Sequence, residues 1–256
     1  MSLLKPDNLH PAIRSLMHFV RGMKSLDVLS PQAMRHPAKE GADVGYGGER
    51  LSAFLHGMDK GRKEALLAAM RGFYPRVHAW ETRALRAGWK DLHVSEDYHD
   101  IHGNPVDIPA RQINDGMLRI LAILAQTLPE ERGWGQGAWG QGTWGGQERT
   151  CLLFDEIENG INPELMDRLL RRLREAPQQI IATTHSPMVL NYLPDDVARE
   201  AVLLLYRDAR GITRAVRYFD LPSTRSKLSL LGPGEVFVDC DLDQLSREAD
   251  GLSLAA

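Results

Sequence analysis

The stretch Thr150–Leu165, TCLLFDEIENGINPEL, constrains this chain more than any other part of it. Cys151, Leu152, Leu153 and Phe154 run without interruption into two carboxylates, Asp155 and Glu156. A short apolar run bounded by turn formers reads as a buried strand. Asn159-Gly160 supplies the turn, and Pro163 suits the first position of a helix. Parallel strands of α/β proteins are covered on both faces, and their ligands gather beyond the carboxyl ends. The two acids therefore fall where a ligand would sit. Phosphoryl transfer requires one acid to hold Mg²⁺ and another to orient or deprotonate the attacking water. An Asp-Glu pair after a strand can also simply cap the next helix, and this stretch alone leaves both readings open.

Two further segments bear on that choice. Gln178–Thr184 (QQIIATT) is a second short strand rich in β-branched residues, followed by His185-Ser186-Pro187 with a helix start at Ser186. As a neighbour in one parallel sheet it would carry His185 to the edge that bears Glu156. Upstream, Asn114-Asp115-Gly116 opens a helix containing Met117, Leu118, Ile120, Leu121, Leu124 and Leu128. A polar cap followed by glycine leaves backbone N–H groups free at the positive end of the helix dipole, which suits an anion. The alternative is an ordinary cap before a core helix.

Phe154-Asp155-Glu156-Ile157-Glu158-Asn159-Gly160-Ile161-Asn162-Pro163 resembles the Walker B and D-loop of ABC-type ATPases, in the SMC-like AAA branch. Thr183-Thr184-His185-Ser186-Pro187 resembles the switch histidine of that family, and Ile113–Arg119 (INDGMLR) its signature motif. The motifs stand in family order, and the likeness covers roughly residues 30 to 240. The resemblance implies ATP and Mg²⁺ as cofactors, with Asp155 on the metal, Glu156 polarising the water, and His185 touching both the γ-phosphate and the water. It implies that Asn114, Asp115 and Gly116 cap the phosphate across a head-to-tail dimer, and that Asn159 and Gly160 couple the two sites. The family's usual serine is Asn114 here, a longer side chain that still donates a hydrogen bond.

No G-x-x-x-x-G-K-[ST] phosphate loop occurs in the 256 residues. The glycine-rich segment 41–48 lacks the Lys-Ser/Thr pair and reads as a linker into a helix. The family carries its phosphate loop on the first strand, upstream of every motif found here. The chain is therefore expected to be the C-terminal portion of such an ATPase: a fragment, a downstream-start product, or one half of a split enzyme. It would need a homodimer partner, or a second half or subunit bearing Walker A, with DNA or an effector protein as further partners. A non-catalytic subunit completing another subunit's site is the second reading. A metal-dependent nuclease using Asp239, Asp241 and Asp243 is a third, although Gln244 stands where a calcium loop wants glycine and no upstream glutamate-glycine partner is evident.

The expected fold class is α/β: a partial ABC-type P-loop NTPase sheet with flanking helices, plus a small helical and antiparallel β subdomain. Residues 1–110 would form that subdomain, 111–220 the ATPase lobe and 221–256 a tail. Within the first part, Ile13, Leu16, Met17 and Val20 repeat as a helix, and Pro31 to Pro37 reads as irregular. Helices follow over 49–58 and 60–73, then a β-meander over 76–109 turning at Gly103-Asn104-Pro105. His93, His99 and His102 lie there among Glu96, Asp97 and Asp100, but match no established metal-ligand spacing. Residues 133–147, GWGQGAWGQGTWGGQ, are too glycine-dense for a regular helix and read as a flexible insertion. Four arginines, Arg168, Arg171, Arg172 and Arg174, form the solvated face of a helix over 163–174. Two strands, 201–206 and 212–218, turn at Asp208–Gly211.

A net charge of −3 gives no support to a broad nucleic-acid surface. Two cysteines suggest a reducing compartment without a disulfide framework. No basic-then-apolar leader and no run near the ~20 apolar residues of a membrane span point to the cytoplasm, with no membrane partner.

Overall fold

The computed structural model describes residues 10, 13, 16, 17, 20, 22–26, 29–128 and 151–255. The Trp-Gly-Gln insertion at 133–147 lies outside them. The chain divides into two compact units, residues 1–183 and 184–256.

The first unit contains, in order, β1 (Met23–Ser25), α1 (Pro31–Met34), α2 (Leu51–Gly57), α3 (Lys60–Phe73), β2 (Val77–Ala84), β3 (Lys90–His99), β4 (Pro105–Pro109), α4 (Asp115–Thr127), β5 (Cys151–Phe154), α5 (Pro163–Arg174) and β6 (Gln179–Ala182). The apolar run at 151–154 is the middle strand of a three-stranded parallel sheet ordered β1-β5-β6. Met23 pairs with Cys151 on one side, and Cys151 with Gln179 on the other, the latter register running on to Phe154 opposite Ala182. Cys151, Leu152 and Phe154 are buried, as a strand paired along both edges and covered by helices must be.

Nothing in Met23-Lys24-Ser25 marks it as a strand. Its neighbour makes it one: the Cys151 N–H donates to the Gly22 carbonyl at 3.2 Å, and the Leu26 N–H to the Leu153 carbonyl at 2.7 Å. The Pro31–Met34 turn, expected to be irregular, is a short helix with proline at its start and the Ser30 hydroxyl accepting from the Ala33 N–H at 3.3 Å.

Helix α4 is apolar nearly all round. From Met117 to Thr127 every residue except Arg119 is buried, so it forms a central rod rather than an amphipathic surface helix. Burying each leucine or isoleucine here contributes about 1.5–3 kcal/mol. Gln178, leading into β6, donates to the Gln126 carbonyl at 3.2 Å and ties the far end of this rod to the sheet. The meander β2-β3-β4 is antiparallel, with Trp80 opposite Val94 and Val94 opposite Ile108. Its period-two pattern buries Val77, Leu92 and Val94.

The second unit contains α6 (Pro187–Asn191), α7 (Asp195–Ala201), the antiparallel pair β7 (Leu203–Arg207) and β8 (Thr213–Arg217), α8 (Pro222–Lys227), α9 (Pro233–Val238) and α10 (Leu242–Ala255). Its core gathers Ala198, Tyr206, Tyr218, Phe219, Leu221, Leu228, Val236, Leu245 and Ala249. The Tyr218 and Phe219 rings meet edge to face at 4.9 Å, the geometry aromatic quadrupoles favour. Val236, Phe237 and Val238 form the last turn of α9, and Asp239 is its C-cap. No helix among the described residues is long and apolar enough to cross a membrane.

Candidate functional site

Beyond Phe154, strand β5 gives way to Asp155 and Glu156, both exposed. Strand β6 carries on beside them: the Thr183 N–H donates to the Phe154 carbonyl at 2.9 Å, and the Thr183 carbonyl accepts from Ile157 at 3.1 Å. The Thr183 hydroxyl then does two things. It donates to the Asp155 carboxylate in a short hydrogen bond, and it accepts from the Glu156 backbone N–H at 2.9 Å. One hydroxyl, just beyond β6, thus holds the Asp155 carboxylate and the Glu156 backbone. Glu156 has φ of +46°, in the left-handed region, which costs a side-chain-bearing residue about 1–2 kcal/mol. Strain at an exposed acid, held by a specific hydrogen bond, is a mark of a functional position. Thr183 sits in the segment singled out for His185, yet its own role is not readable from sequence, because it depends on which strand lies beside β5.

A second cluster forms where α4 begins. Asn114 is the N-cap, its side-chain oxygen accepting from the Met117 N–H at 2.8 Å, which leaves its amide nitrogen as the remaining donor. The Asp115 carboxylate is held by Arg35, which also donates to the Ile113 carbonyl at 2.9 Å. Gly116 lies against the loop after β5: a Cβ there would stand 3.1 Å from the Gly160 carbonyl oxygen and 3.5 Å from the Tyr74 hydroxyl. Gly160 has φ of +69°, and a Cβ on it would meet the Arg119 Nε at 2.9 Å. Residues from the two motifs therefore touch within one chain. A cleft of about 360 Å³ opens between them, lined by Leu29, Ser30, Pro31, Gln32, Arg35, Asp115, Arg119 and Asn159.

Arg35 and Tyr74 were not foreseen in this cluster, and Arg119 was read only as the last residue of the signature motif. Arg119 carried the clearest signal, a cation inside an otherwise apolar helix. Its Nε is buried without a hydrogen-bond partner, and burial lowers its pKa from the ordinary arginine value. Burial, with the Glu164 carboxylate assisting, pushes the Tyr74 phenol up to about 12. Both shifts arise first from desolvation, which disfavours the charged form of each group.

His185 belongs to the second unit, three residues beyond the end of β6 in the chain, and is exposed. Next to it, the Thr184 hydroxyl accepts from the Ser186 N–H at 3.0 Å, at the start of α6.

Other polar residues noted in the sequence have structural work. His93 bridges Asp107 at 2.9 Å and Asp91 at 3.3 Å. Burial alone would raise the Asp107 carboxyl, but hydrogen bonds from Arg83 and His93 hold it below the usual range. Asp100 accepts from the His102 and Asn104 N–H groups of its own turn at 2.8 and 2.9 Å. Asp241 accepts from the Asp243 N–H at 2.8 Å at the head of α10, and Asp239 pairs with Lys227 at 2.9 Å.

A parallel sheet whose middle strand ends in two exposed acids, flanked by helices, is an α/β architecture consistent with the AAA P-loop fold, with polar groups at the strand ends where ligands of such sheets gather. The family model that matches residues 8–191 is described as an AAA domain, AbiEii toxin-like, of type IV toxin–antitoxin systems. The chain belongs to this family of AAA-type P-loop ATPases, which generally use ATP and Mg²⁺. No curated protein matches the chain.

Proposed function

We propose that the chain is the ATP-hydrolysing module of an ABC-type, SMC-like AAA assembly in the cytoplasm. It would act as a head-to-tail dimer with composite sites, its Walker A segment supplied from elsewhere in the assembly. The observation that carries this reading is the Thr183 hydroxyl holding Asp155 and Glu156 at the carboxyl end of β5. Asp155 and Thr183 present hard oxygen atoms, the donor chemistry Mg²⁺ takes. Among the described residues no group of three or more His, Cys, Asp or Glu side chains could hold a metal.

In this proposal Asp155 holds the metal, Glu156 orients and deprotonates water, and His185 contacts the γ-phosphate. The α4 start at Asn114, Asp115 and Gly116 faces the partner's nucleotide, and Asn159 with Gly160 links the two sites. The outer edge of β6 supports a further parallel strand there. Among the described residues β6 pairs with β5 alone, and Ile181 is 47% exposed on a strand type that is normally covered.

In the assembly containing a Walker A segment, Glu156→Gln is expected to abolish turnover while leaving assembly intact. Thr183→Val, which removes the positioning hydroxyl, should lower kcat by about 10–100-fold. Unchanged hydrolysis in the Glu156→Gln complex would sink the proposal. The second reading is a non-catalytic subunit whose α4 start completes a partner's site, and it is favoured by the cleft at Arg35, Asp115 and Arg119. Under that reading Glu156→Gln is silent, whereas Gly116→Val stops the partner's turnover.

A further inference from the structure

The loop between β5 and α5 holds a reactive pair of residues whose chemistry needs no nucleotide. Asn159 and Gly160 are both exposed, in a turn where the Asn159 N–H donates to the Glu156 carbonyl at 2.8 Å and the Ile161 N–H to the Glu158 carbonyl at 3.1 Å. Neither the Asn159 side-chain amide nor the Gly160 backbone N–H has a hydrogen-bond partner among the described residues. Gly160 has no Cβ to shield its nitrogen from the side chain before it. The other asparagines among the described residues are guarded. Asn104 and Asn162 precede Pro105 and Pro163, whose ring nitrogens carry no N–H. Asn114 and Asn191 hold their side-chain oxygens in bonds from the Met117 and Gly234 N–H groups, each at 2.8 Å.

We infer that Asn159 is a self-modification site: it deamidates through the Gly160 nitrogen and places a new carboxylate in the cleft that Arg119 lines. The Gly160 amide loses its proton to solvent, and its nitrogen attacks the carbonyl carbon of the Asn159 side chain. A C–N bond forms to close a five-membered imide, the bond to the side-chain nitrogen breaks, and that nitrogen takes protons from solvent and leaves as ammonia. Water then adds to one imide carbonyl and the ring opens. Opening on one side gives aspartate, and on the other isoaspartate, which inserts one extra backbone carbon into the turn. The sum is asparagine plus water giving a carboxylic acid plus ammonia, with no oxidant and no enzyme. Either product alters the cleft, because Asn159 lines it together with Arg35, Asp115 and Arg119. Two guanidiniums that now share one carboxylate would share two, and the Arg119 Nε, buried without a hydrogen-bond partner, would gain an acceptor in its cleft.

The test ages the full-length chain at neutral and mildly alkaline pH beside a synthetic peptide of residues 154–165, and maps both by mass spectrometry and isoelectric focusing. Expected is an acidic shift with the amide-to-acid mass gain confined to Asn159 and faster at the higher pH. Its rate should lie within about tenfold of the peptide's, because an exposed turn opens at little free-energy cost. An isoaspartyl methyltransferase should label the aged chain and not the fresh one. Asn159→Gln should abolish the shift, since its longer side chain would have to close a six-membered ring. A rate more than about tenfold below the peptide's overturns the inference, and so does equal conversion at Asn114 or Asn191. Both are read on the wild-type chain, so neither depends on a variant folding or on the chain hydrolysing ATP.

Discussion

Helices α6 and α9 approach so closely at Gly234 that no side chain fits between them. A Cβ there would stand 1.9 Å from the Pro187 carbonyl oxygen and 2.7 Å from its carbon, where ordinary contact begins near 3.4 Å. The obstacle is backbone and the Cβ is fixed to backbone, so no rotamer change relieves the clash. Gly234→Ala must push the helices apart by about 1.5 Å, the difference between 3.4 and 1.9. The 2.8 Å hydrogen bond from the Gly234 N–H to the Asn191 side chain is then lost, at about 1 kcal/mol. Overpacking adds about 1–3 kcal/mol, and the better helix propensity of alanine returns about 0.5–1 kcal/mol. The net expectation is a loss of about 1–3.5 kcal/mol, a Tm lower by about 2–14 °C for a chain of this size. Gly72→Ala is the matched control. Gly72 lies inside α3 with nothing within 4 Å of a Cβ, so the same chemical change should stabilise by about 0.5–1 kcal/mol. Scanning calorimetry on both variants checks the pair. A Tm for Gly234→Ala within a degree or so of wild type would refute the claim that backbone contact sets the α6–α9 spacing.

Gly160→Ala combines a left-handed backbone at φ +69° with a Cβ 2.9 Å from the Arg119 Nε, so about 1–2 kcal/mol of stability should be lost. Arg119→Ala should remove the steric part of that loss and leave the backbone part, which a double-mutant cycle by urea denaturation measures. Folding raises the Tyr74 phenol from 10.0 to about 12 and so favours its protonated form. The stabilisation is whole below pH 10 and fades as pH rises toward 12, so chemical denaturation across that window should show Tyr74→Phe losing less stability than wild type.

Strand β5 was legible because its burial demanded an unbroken apolar run, Cys151–Phe154, whereas β6, largely exposed, was legible from its β-branched Ile180-Ile181. The start of α4 was equally legible, since Asn114 caps it through its own side chain, a local bond written in three residues. Strand β1 was not, because Met23-Lys24-Ser25 is a strand only by virtue of the β5 edge it meets. Arg35, Tyr74 and Thr183 were missed for a related reason. Each acts on a residue far along the chain: Arg35 on Asp115, Tyr74 beside Gly116, and Thr183 on Asp155. Such partnerships are set by tertiary placement, which neither periodicity nor spacing encodes.

The left-handed backbone at Glu156 sets the interests of the fold against those of the acid. Glycine or asparagine would occupy that conformation with less strain, so Glu156→Gly should make the chain more robust by about 1 kcal/mol while deleting the carboxylate. A population of variants selected for heat resistance alone would therefore drift away from glutamate at this position. One selected also for turnover would keep it, so the residue found at position 156 after such selection records which demand the chain was under.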